Sequence, residues 1–246
     1  MKYTPNVFSD YQKHFHTHLG LAIIEKGSIE ITCYPEAKYN LTDSTIAIFN
    51  PKQVHRSQTQ NAKGYYVLFL DIDWCQSIQK DFFFDSNIID DKLLHRMLKK
   101  LFHKTIIDKE IFVELELKDI IKDVFKKYAN IERKKEKDII VQLKSFIAQH
   151  SNGSLNVDEL AKYIGYDKSY LIRFFKKEVG LTPQQYILNE KVNRAKDALS
   201  YAEVSTLSNI AVDAGFFDQS HMNRNFKGLF GTSPKTYKKV NIVQDK

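Results

Sequence analysis

Two short stretches of the sequence combine an apolar stripe with basic and amide side chains, KSYLIRFFKK at 168–177 and QSHMNRNFKG at 219–228. At helical spacing the buried stripes are Leu171, Phe174 and Phe175 in the first stretch and Met222, Phe226 and Phe230 in the second. The side chains then left facing outward are Lys168, Ser169, Ile172, Arg173 and Lys176 in the first stretch, and Gln219, Ser220, His221, Asn223, Arg224 and Lys227 in the second. Arginine, asparagine, glutamine and serine can pair with the edges of bases, whereas lysine neutralises phosphates without reading sequence. Both stretches therefore predict a face that binds double-stranded DNA.

The two stretches belong to an internal repeat. Leu160, Ala161, Gly165 and Tyr166 align with Ile210, Ala211, Gly215 and Phe216 at an offset of 50. After one inserted residue in the turn, the positions from Ser169 to Tyr186 align with those from Ser220 to Tyr237 at an offset of 51. Each copy reads as a short helix, a glycine-containing turn and a second helix, which is the pattern of a helix-turn-helix motif. An all-helical bundle with solvated basic faces is the alternative.

Capping residues set the predicted helix boundaries. Asn156 with Glu159, and Thr182 with Gln185, form the pattern of a capping box, while Asp167 and Asp218 precede the two outward-facing helices. The helix predicted from Pro183 to about Tyr201 spans roughly 28 Å at about 1.5 Å per residue. Successive major grooves on one face of B-DNA lie about 34 Å apart. One linking helix therefore has the length to place both second helices on one side of a duplex.

The N-terminal half has a different pattern. From about residue 14 to 72, short β-branched and aromatic runs such as GLAIIEKGSIEITC, STIAIF and GYYVLFLDI predict strands covered on both faces, as in a small barrel or sandwich. Two amphipathic helices follow, one of which carries Leu94, Met97, Leu98 and Leu101 as a dimer seam or as a face packed on the strands. We predict an α+β chain with a β-rich domain at 1–90, a helical segment at 91–131, a linker at 132–137 and an all-α domain at 138–240.

Charge and cysteine usage narrow the class of protein. Residues 1–91 carry 8 Lys/Arg against 11 Asp/Glu, a net of −3, whereas residues 92–137 carry 14 against 8 and residues 138–246 carry 15 against 11, nets of +6 and +4. The excess of positive charge favours a polyanionic partner for the later part of the chain. The chain has only two cysteines, Cys33 and Cys75, and no apolar run near 18 residues. We therefore expect buried free thiols, a cytoplasmic protein and no membrane partner.

Residues 138–240 resemble the tandem helix-turn-helix domain of the AraC/XylS family of bacterial transcription regulators. The stretches that carry the resemblance are VDELAKYIGYDKSYLIRFFKKEVGLTPQQYI, NRAKDAL and IAVDAGFFDQSHMNRNFKGLFGTSPKTY. The family implies binding to promoter DNA and usually activation through RNA polymerase. It implies base contacts at Ser169, Ile172, Arg173, Gln219, Ser220, His221 and Arg224. Ile172 departs from the polar residue frequent at its position, so we expect its side chain to contact a thymine methyl group or no base at all.

The N-terminal segment is similar to the cupin-like sensing barrel common in this family. The similarity rests on HFHTH at 14–18, on Gly27, and on the spacing from Pro51 to His55. As a strand, HFHTH would place His14, His16 and His18 on one face. We predict a homodimer whose barrel binds a small-molecule effector, with no cofactor and with these ligand-binding residues: His16, His18, His55, Phe49 and Tyr65. Three alternatives stay open: these side chains fill a barrel core, three histidines hold a metal in a cupin enzyme fused to a DNA anchor, or a protein partner controls the chain.

Overall fold

The computed structural model describes residues 2–6, 12–34, 37–59, 61–107, 114–130, 137–201 and 206–241. The chain divides into two compact units. The first comprises residues 1–10 and 15–134, and the second comprises residues 11–14 and 135–246. The linker predicted at 132–137 lies outside the described residues except for Lys137. Among the helices described, none is both long enough and apolar enough to cross a membrane.

The first unit is built from eight strands and three helices. The strands are β1 (Lys2–Asn6), β2 (Leu19–Lys26), β3 (Ser28–Cys33), β4 (Ala37–Thr42), β5 (Ile46–Phe49), β6 (His55–Thr59), β7 (Lys63–Leu70) and β8 (Ile88–Ile89). The helices are α1 (Ile72–Ile78), α2 (Lys92–Phe102) and α3 (Glu114–Tyr128), and a π-helical turn, His103–Ile107, follows α2. The strands pair antiparallel in a five-stranded sheet, ordered β1-β7-β2-β5-β8, and a three-stranded sheet, ordered β4-β3-β6.

Two cores explain the two hydrophobic patterns of these strands. Strand β2 is buried at six consecutive positions because one face of the large sheet packs on the small sheet and the other packs on α2 and α3. Strand β3 alternates between buried and half-buried positions, so only one face of the small sheet is covered. The α+β class is confirmed. The predicted barrel is instead a pair of separate sheets, because no described strand hydrogen-bonds the large sheet to the small one.

Helix α2 packs on its own sheet. Leu94, Leu98 and Leu101 are at most 2% exposed within the core that lies between α2, α3 and the large sheet. Met97 packs against the same core. The dimer seam considered for this stripe is therefore wrong, because burying these leucines against the sheet leaves none of them for a second subunit.

Three amides join the end of strand β5 to the segment before β8. Asn50 Nδ2 donates to the Phe84 carbonyl at 2.8 Å, and Asn50 Oδ1 accepts from the Phe84 amide at 2.9 Å. Asn87 Nδ2 donates to the Ile48 carbonyl at 2.7 Å and to Gln53 Oε1 at 2.8 Å. Asn50 and Asn87 are buried, so these bonds replace water for backbone groups that the interior would otherwise leave unpaired.

The second unit is helical over the described residues from Lys137 onward. Its helices are α4 (Asp138–His150), α5 (Val157–Ile164), α6 (Lys168–Val179), α7 (Pro183–Tyr201), α8 (Leu207–Asp213), α9 (Gln219–Phe230) and α10 (Pro234–Asn241). The predicted caps are confirmed: Asn156 and Glu159 form a capping box on α5, and Asp167 and Asp218 accept backbone N–H groups at the start of α6 and α9. Thr182 and Gln185 exchange bonds of 2.9 and 3.2 Å before α7.

The segment before β2 departs from the sequence prediction. Strand β2 begins at Leu19, so residues 14–18 are not a regular strand and the alternation expected for His14, His16 and His18 does not apply. His14 belongs to the second unit. Its ring is 4% exposed and lies edge-on to Phe230, with the centroids 6.5 Å apart. Burial, followed by the charge of Lys196, lowers the pKa of His14 to about 4, so this ring is neutral at pH 7.

Candidate nucleic-acid interface

Helix α6 presents most of its predicted residues to solvent. Ser169, Arg173 and Lys176 are exposed, and Ile172 is half-buried. Lys168 is exposed, but its Nζ lies 2.8 Å from Asp158 Oδ2 on the preceding helix. This pair is solvated and therefore weak, so it leaves the ammonium group available to a phosphate.

The buried side of α6 differs at one position from the predicted stripe. Leu171 and Phe175 are fully buried as expected, whereas Phe174 is only half-buried and Val179 takes its place in the core. Phe174 lies instead beside Tyr170, with the ring planes stacked and the centroids 5.9 Å apart. The buried stripe therefore follows the i, i+4, i+8 line of α6.

Helix α9 repeats this arrangement with more side chains partly enclosed. Ser220, Arg224 and Lys227 are exposed, while Gln219, His221 and Asn223 are half-buried. The His221 ring lies edge-on to Phe216 at 5.3 Å between centroids. Asn223 Oδ1 is enclosed and has no hydrogen-bond partner, so this amide does not present both of its polar atoms at the surface. The exposed base-reading candidates of α9 are thus Ser220 and Arg224.

The turn before α9 is fixed by a close backbone approach. Gly215 has φ +86°, and a Cβ atom there would lie 2.7 Å from the Ser151 carbonyl at the end of α4. A residue with a side chain would therefore meet both backbone strain and a steric clash. Asp218 then accepts the His221 amide at 2.6 Å, which satisfies one of the free N–H groups at the start of the helix.

Helix α7 packs on both helix-turn-helix copies. In its first half the buried Tyr186 meets Phe175 of α6, with centroids 5.5 Å apart. In its second half, Val192, Ala195 and Leu199 share one core with Met222 and Phe226 of α9 and with α8. The helix predicted from Pro183 to Tyr201 is therefore confirmed, with 19 residues, and it packs against both α6 and α9.

A basic side chain of α7 also bridges the two copies. Lys191 Nζ donates to the Gly153 carbonyl at 3.0 Å, between α4 and α5, and to the Gly215 carbonyl at 2.7 Å, before α9. Burial, and then the charge of Arg194, lower the pKa of Lys191. Arg194 in turn donates to Ser151 Oγ at 3.0 Å. We call Lys191 and Arg194 the α7 clamp, because they hold the end of α4 and the turn before α9 to one helix. These contacts are not predictable from the sequence, since the carbonyls involved carry no sequence signal.

The predicted effector residues of the first unit include a packed group of rings. Phe49 stacks on His55 with 4.2 Å between centroids, and the His55 and His16 rings lie 5.2 Å apart. Phe69 lies edge-on to His16 at 4.5 Å. Phe49, His55 and His16 are all buried, which is what the core-filling alternative expects. Tyr65 packs at the edge of the core between the two sheets.

His18 is less deeply buried than His16 and His55. It is half-buried, and its Nδ1 is 3.0 Å from Thr17 Oγ1.

A separate group of polar side chains, not predicted from the sequence, joins β2, β7 and the π-helical turn. Tyr66 Oη donates to Glu25 Oε1 at 2.5 Å and lies 3.2 Å from His103 Nε2.

Comparison with known proteins follows the division into two units. Residues 9–120 match the model of an AraC-like ligand binding domain, and residues 160–239 match that of a helix-turn-helix domain. The chain belongs to the AraC family of transcriptional regulators. The Bacillus subtilis regulator YbfI is a family relative 23% identical over 230 residues, which cover 88% of this chain and 82% of YbfI. The probable regulator LumQ of Photobacterium leiognathi is 32% identical over 106 residues, 43% of this chain and 42% of LumQ.

Solved structures with the same fold include the AraC-family regulator ToxT of Vibrio cholerae. One ToxT structure has a TM-score of 0.62 and 12% identity, and the match covers 94% of this chain and 92% of ToxT. Another, with a TM-score of 0.59 and 14% identity over 94% and 90% of the two chains, contains an unsaturated fatty acid. The similarity therefore shows that this chain and ToxT share one α+β fold.

Proposed function

We propose that this chain is a sequence-specific transcription regulator that reads two successive major-groove segments with α6 and α9. One observation carries the proposal. Arg173 and Arg224 are both exposed, lie at equivalent positions of two capped helices, and are held by a single helix that packs on both copies. A basic face that only contacts solvent would not require arginines at equivalent positions of two helices, nor a single helix that packs on both copies.

The proposed contacts follow from the chemistry of each side chain. Arg173 and Arg224 can each donate two hydrogen bonds to the O6 and N7 atoms of guanine. Ser169 and Ser220 flank these arginines, and Gln219 can pair with adenine. The exposed Lys176 and Lys227, together with Lys168, would neutralise phosphates. Ile172, His221 and Asn223 complete the proposed interface as partly enclosed residues at its edge.

Binding measurements on a selected DNA site test the proposal. The site would be obtained from a random library with the full chain, and affinity measured by fluorescence anisotropy at several salt concentrations. Arg173→Ala and Arg224→Ala should each weaken binding by about 1–3 kcal/mol and relax the base preference at one position. Lys126→Ala, which removes an exposed positive charge from α3, is the matched control and should have no effect. Unchanged affinity and base preference in both arginine variants would contradict the proposal.

For the first unit we propose control by a small apolar effector, acting through His16, His18, His55, Phe49 and Tyr65. The support is the match to an AraC-like ligand binding domain and the shared fold with ToxT, one structure of which contains an unsaturated fatty acid. A thermal-shift assay with an unsaturated fatty acid as the first probe, repeated with His55→Phe, tests it. The probe should raise the melting temperature of the wild type and not that of the variant. An equal response in both would place any binding elsewhere.

We further propose that the chain activates transcription as a homodimer that contacts RNA polymerase. Transcription reconstituted from purified components should rise with added chain at a promoter carrying the selected site, and sedimentation should give twice the monomer mass. Activation that needs an added protein and no small molecule would favour the partner-controlled alternative. Metal analysis tests the enzyme alternative, for which stoichiometric transition metal in the purified chain would be the supporting result.

A further inference from the structure

Phe217 is an exposed apolar residue in the part of the molecule proposed to enter DNA. It lies in the turn between α8 and α9 and is 91% exposed. Its neighbour Phe216 is 4% exposed and belongs to the core of the second copy. Adjacent aromatic residues thus point in opposite directions, one into the protein and one into solvent.

The backbone around Phe217 is held on both sides. Gly215 is fixed by its close approach to the Ser151 carbonyl and by the bond from Lys191, and Asp218 caps α9 through the His221 amide. An exposed ring on a constrained backbone binds a partner without the cost of ordering that backbone. The backbone position of Phe217 is therefore set before any partner arrives.

A hydrophobic staple does not explain the ring. An apolar residue just before the N-cap commonly packs on the fourth residue of the helix, which for α9 is Met222. Met222 is fully buried beneath the helix, whereas the ring of Phe217 stays in solvent. In the first copy the residue just before the N-cap is Tyr166, and it does pack on its own helix, with centroids 5.1 Å from Tyr170. Phe217 lies where the second copy has one residue more than the first.

We propose that Phe217 is a specificity-determining residue that packs against the methyl group of a thymine in the segment read by α9. This inference rests on the proposed DNA-reading function. In helix-turn-helix proteins the N-terminal end of the recognition helix contacts base edges, and Phe217 immediately precedes that end. The thymine methyl group is the apolar feature of the major groove, and phenylalanine is among the side chains that contact it. Ser220 and Arg224 are exposed on α9 within two helical turns, so the ring and the polar readers would face the same groove.

Replacing thymine by deoxyuridine, which lacks only this methyl group, tests the proposal. With the selected site, each thymine in turn would be replaced and the affinity of the full chain measured. For the wild type, one thymine in the second segment should give a loss of about fourfold, the equivalent of about 0.8 kcal/mol for one buried methyl group. Phe217→Ala should bind the unmodified site about tenfold less tightly and should be insensitive to that one replacement. Phe217→Leu, which keeps an apolar contact, should retain part of the sensitivity.

The matched control is Val212→Ala, which shortens another exposed apolar side chain of the same copy. It should leave both affinity and thymine dependence unchanged. Equal sensitivity of the wild type and Phe217→Ala at every thymine would overturn the proposal. So would normal DNA binding by Phe217→Ala with reduced transcription, which would assign the ring to a protein partner. Failure to select any site would instead contradict the DNA-reading function itself.

Discussion

Removing the Lys191 ammonium group should loosen the connection between the two DNA-reading copies. Lys191→Met keeps most of the apolar stem but deletes the two bonds to the Gly153 and Gly215 carbonyls. Hydrogen bonds to charged groups contribute about 1.5–3 kcal/mol each. The burial and the repulsion by Arg194 that lower the pKa of Lys191 offset part of this gain. We therefore expect the free energy of unfolding of the second unit to fall by about 2 kcal/mol, in line with these values.

The DNA-binding consequence is more specific than the loss of stability. Because Lys191 ties the turn before α9 to the end of α4, the variant should bind a two-segment site about tenfold less tightly, which corresponds to about 1.4 kcal/mol. Its affinity for a duplex carrying only the α6 segment should be unchanged. Urea denaturation and fluorescence anisotropy measure the two effects, and Lys235→Met, which removes an exposed charge from α10, is the control. Equal behaviour of Lys191→Met and this control on both duplexes would refute the clamp.

Three further predictions concern buried groups. The pKa of His14 is lowered to about 4, so as pH falls the unfolded chain takes up this proton before the folded chain does. Between pH 6.5 and 4 the free energy of unfolding should therefore drop by up to about 3 kcal/mol more in the wild type than in His14→Gln. The exposed His150→Gln is the control. Asn87→Ala should lower the melting temperature of the first unit and cost about 2–3 kcal/mol by leaving the Ile48 carbonyl unpaired, whereas the exposed Asn130→Ala should cost less than half as much. Burial raises the pKa of Cys33 and of Cys75 to about 12, so both thiols should react with an aromatic disulfide reagent only in denaturant; fast reaction of the native chain would show that one of them is accessible.

The helix boundaries of the second unit were predicted well because the residues that set them act on backbone groups only a few positions away. A cap residue such as Asn156 or Asp218 satisfies N–H groups two or three positions away, so its effect is readable from spacing alone. The same holds for α7, whose start at Pro183 follows from a reciprocal capping pair. Continuous burial of β2 likewise follows from its unbroken apolar run.

Tertiary relations were predicted less well because they depend on residues far apart in the chain. Nothing near residue 14 indicates that His14 packs in the second unit with Phe230. The α7 clamp depends on carbonyl groups, which every residue possesses, so only the fold selects Gly153 and Gly215. Helical spacing allows both Phe174 and Val179 on the buried side of α6, and only the packing of the folded unit selects Val179.

Methylation interference on the selected site tests the central claim most directly, because methylating guanine N7 blocks contacts in the major groove. We expect two clusters of interfering guanines on one face of the duplex, about ten base pairs apart. Arg173→Ala should abolish one cluster and Arg224→Ala the other. A single cluster, or the loss of both clusters in either variant, would contradict reading by two helices.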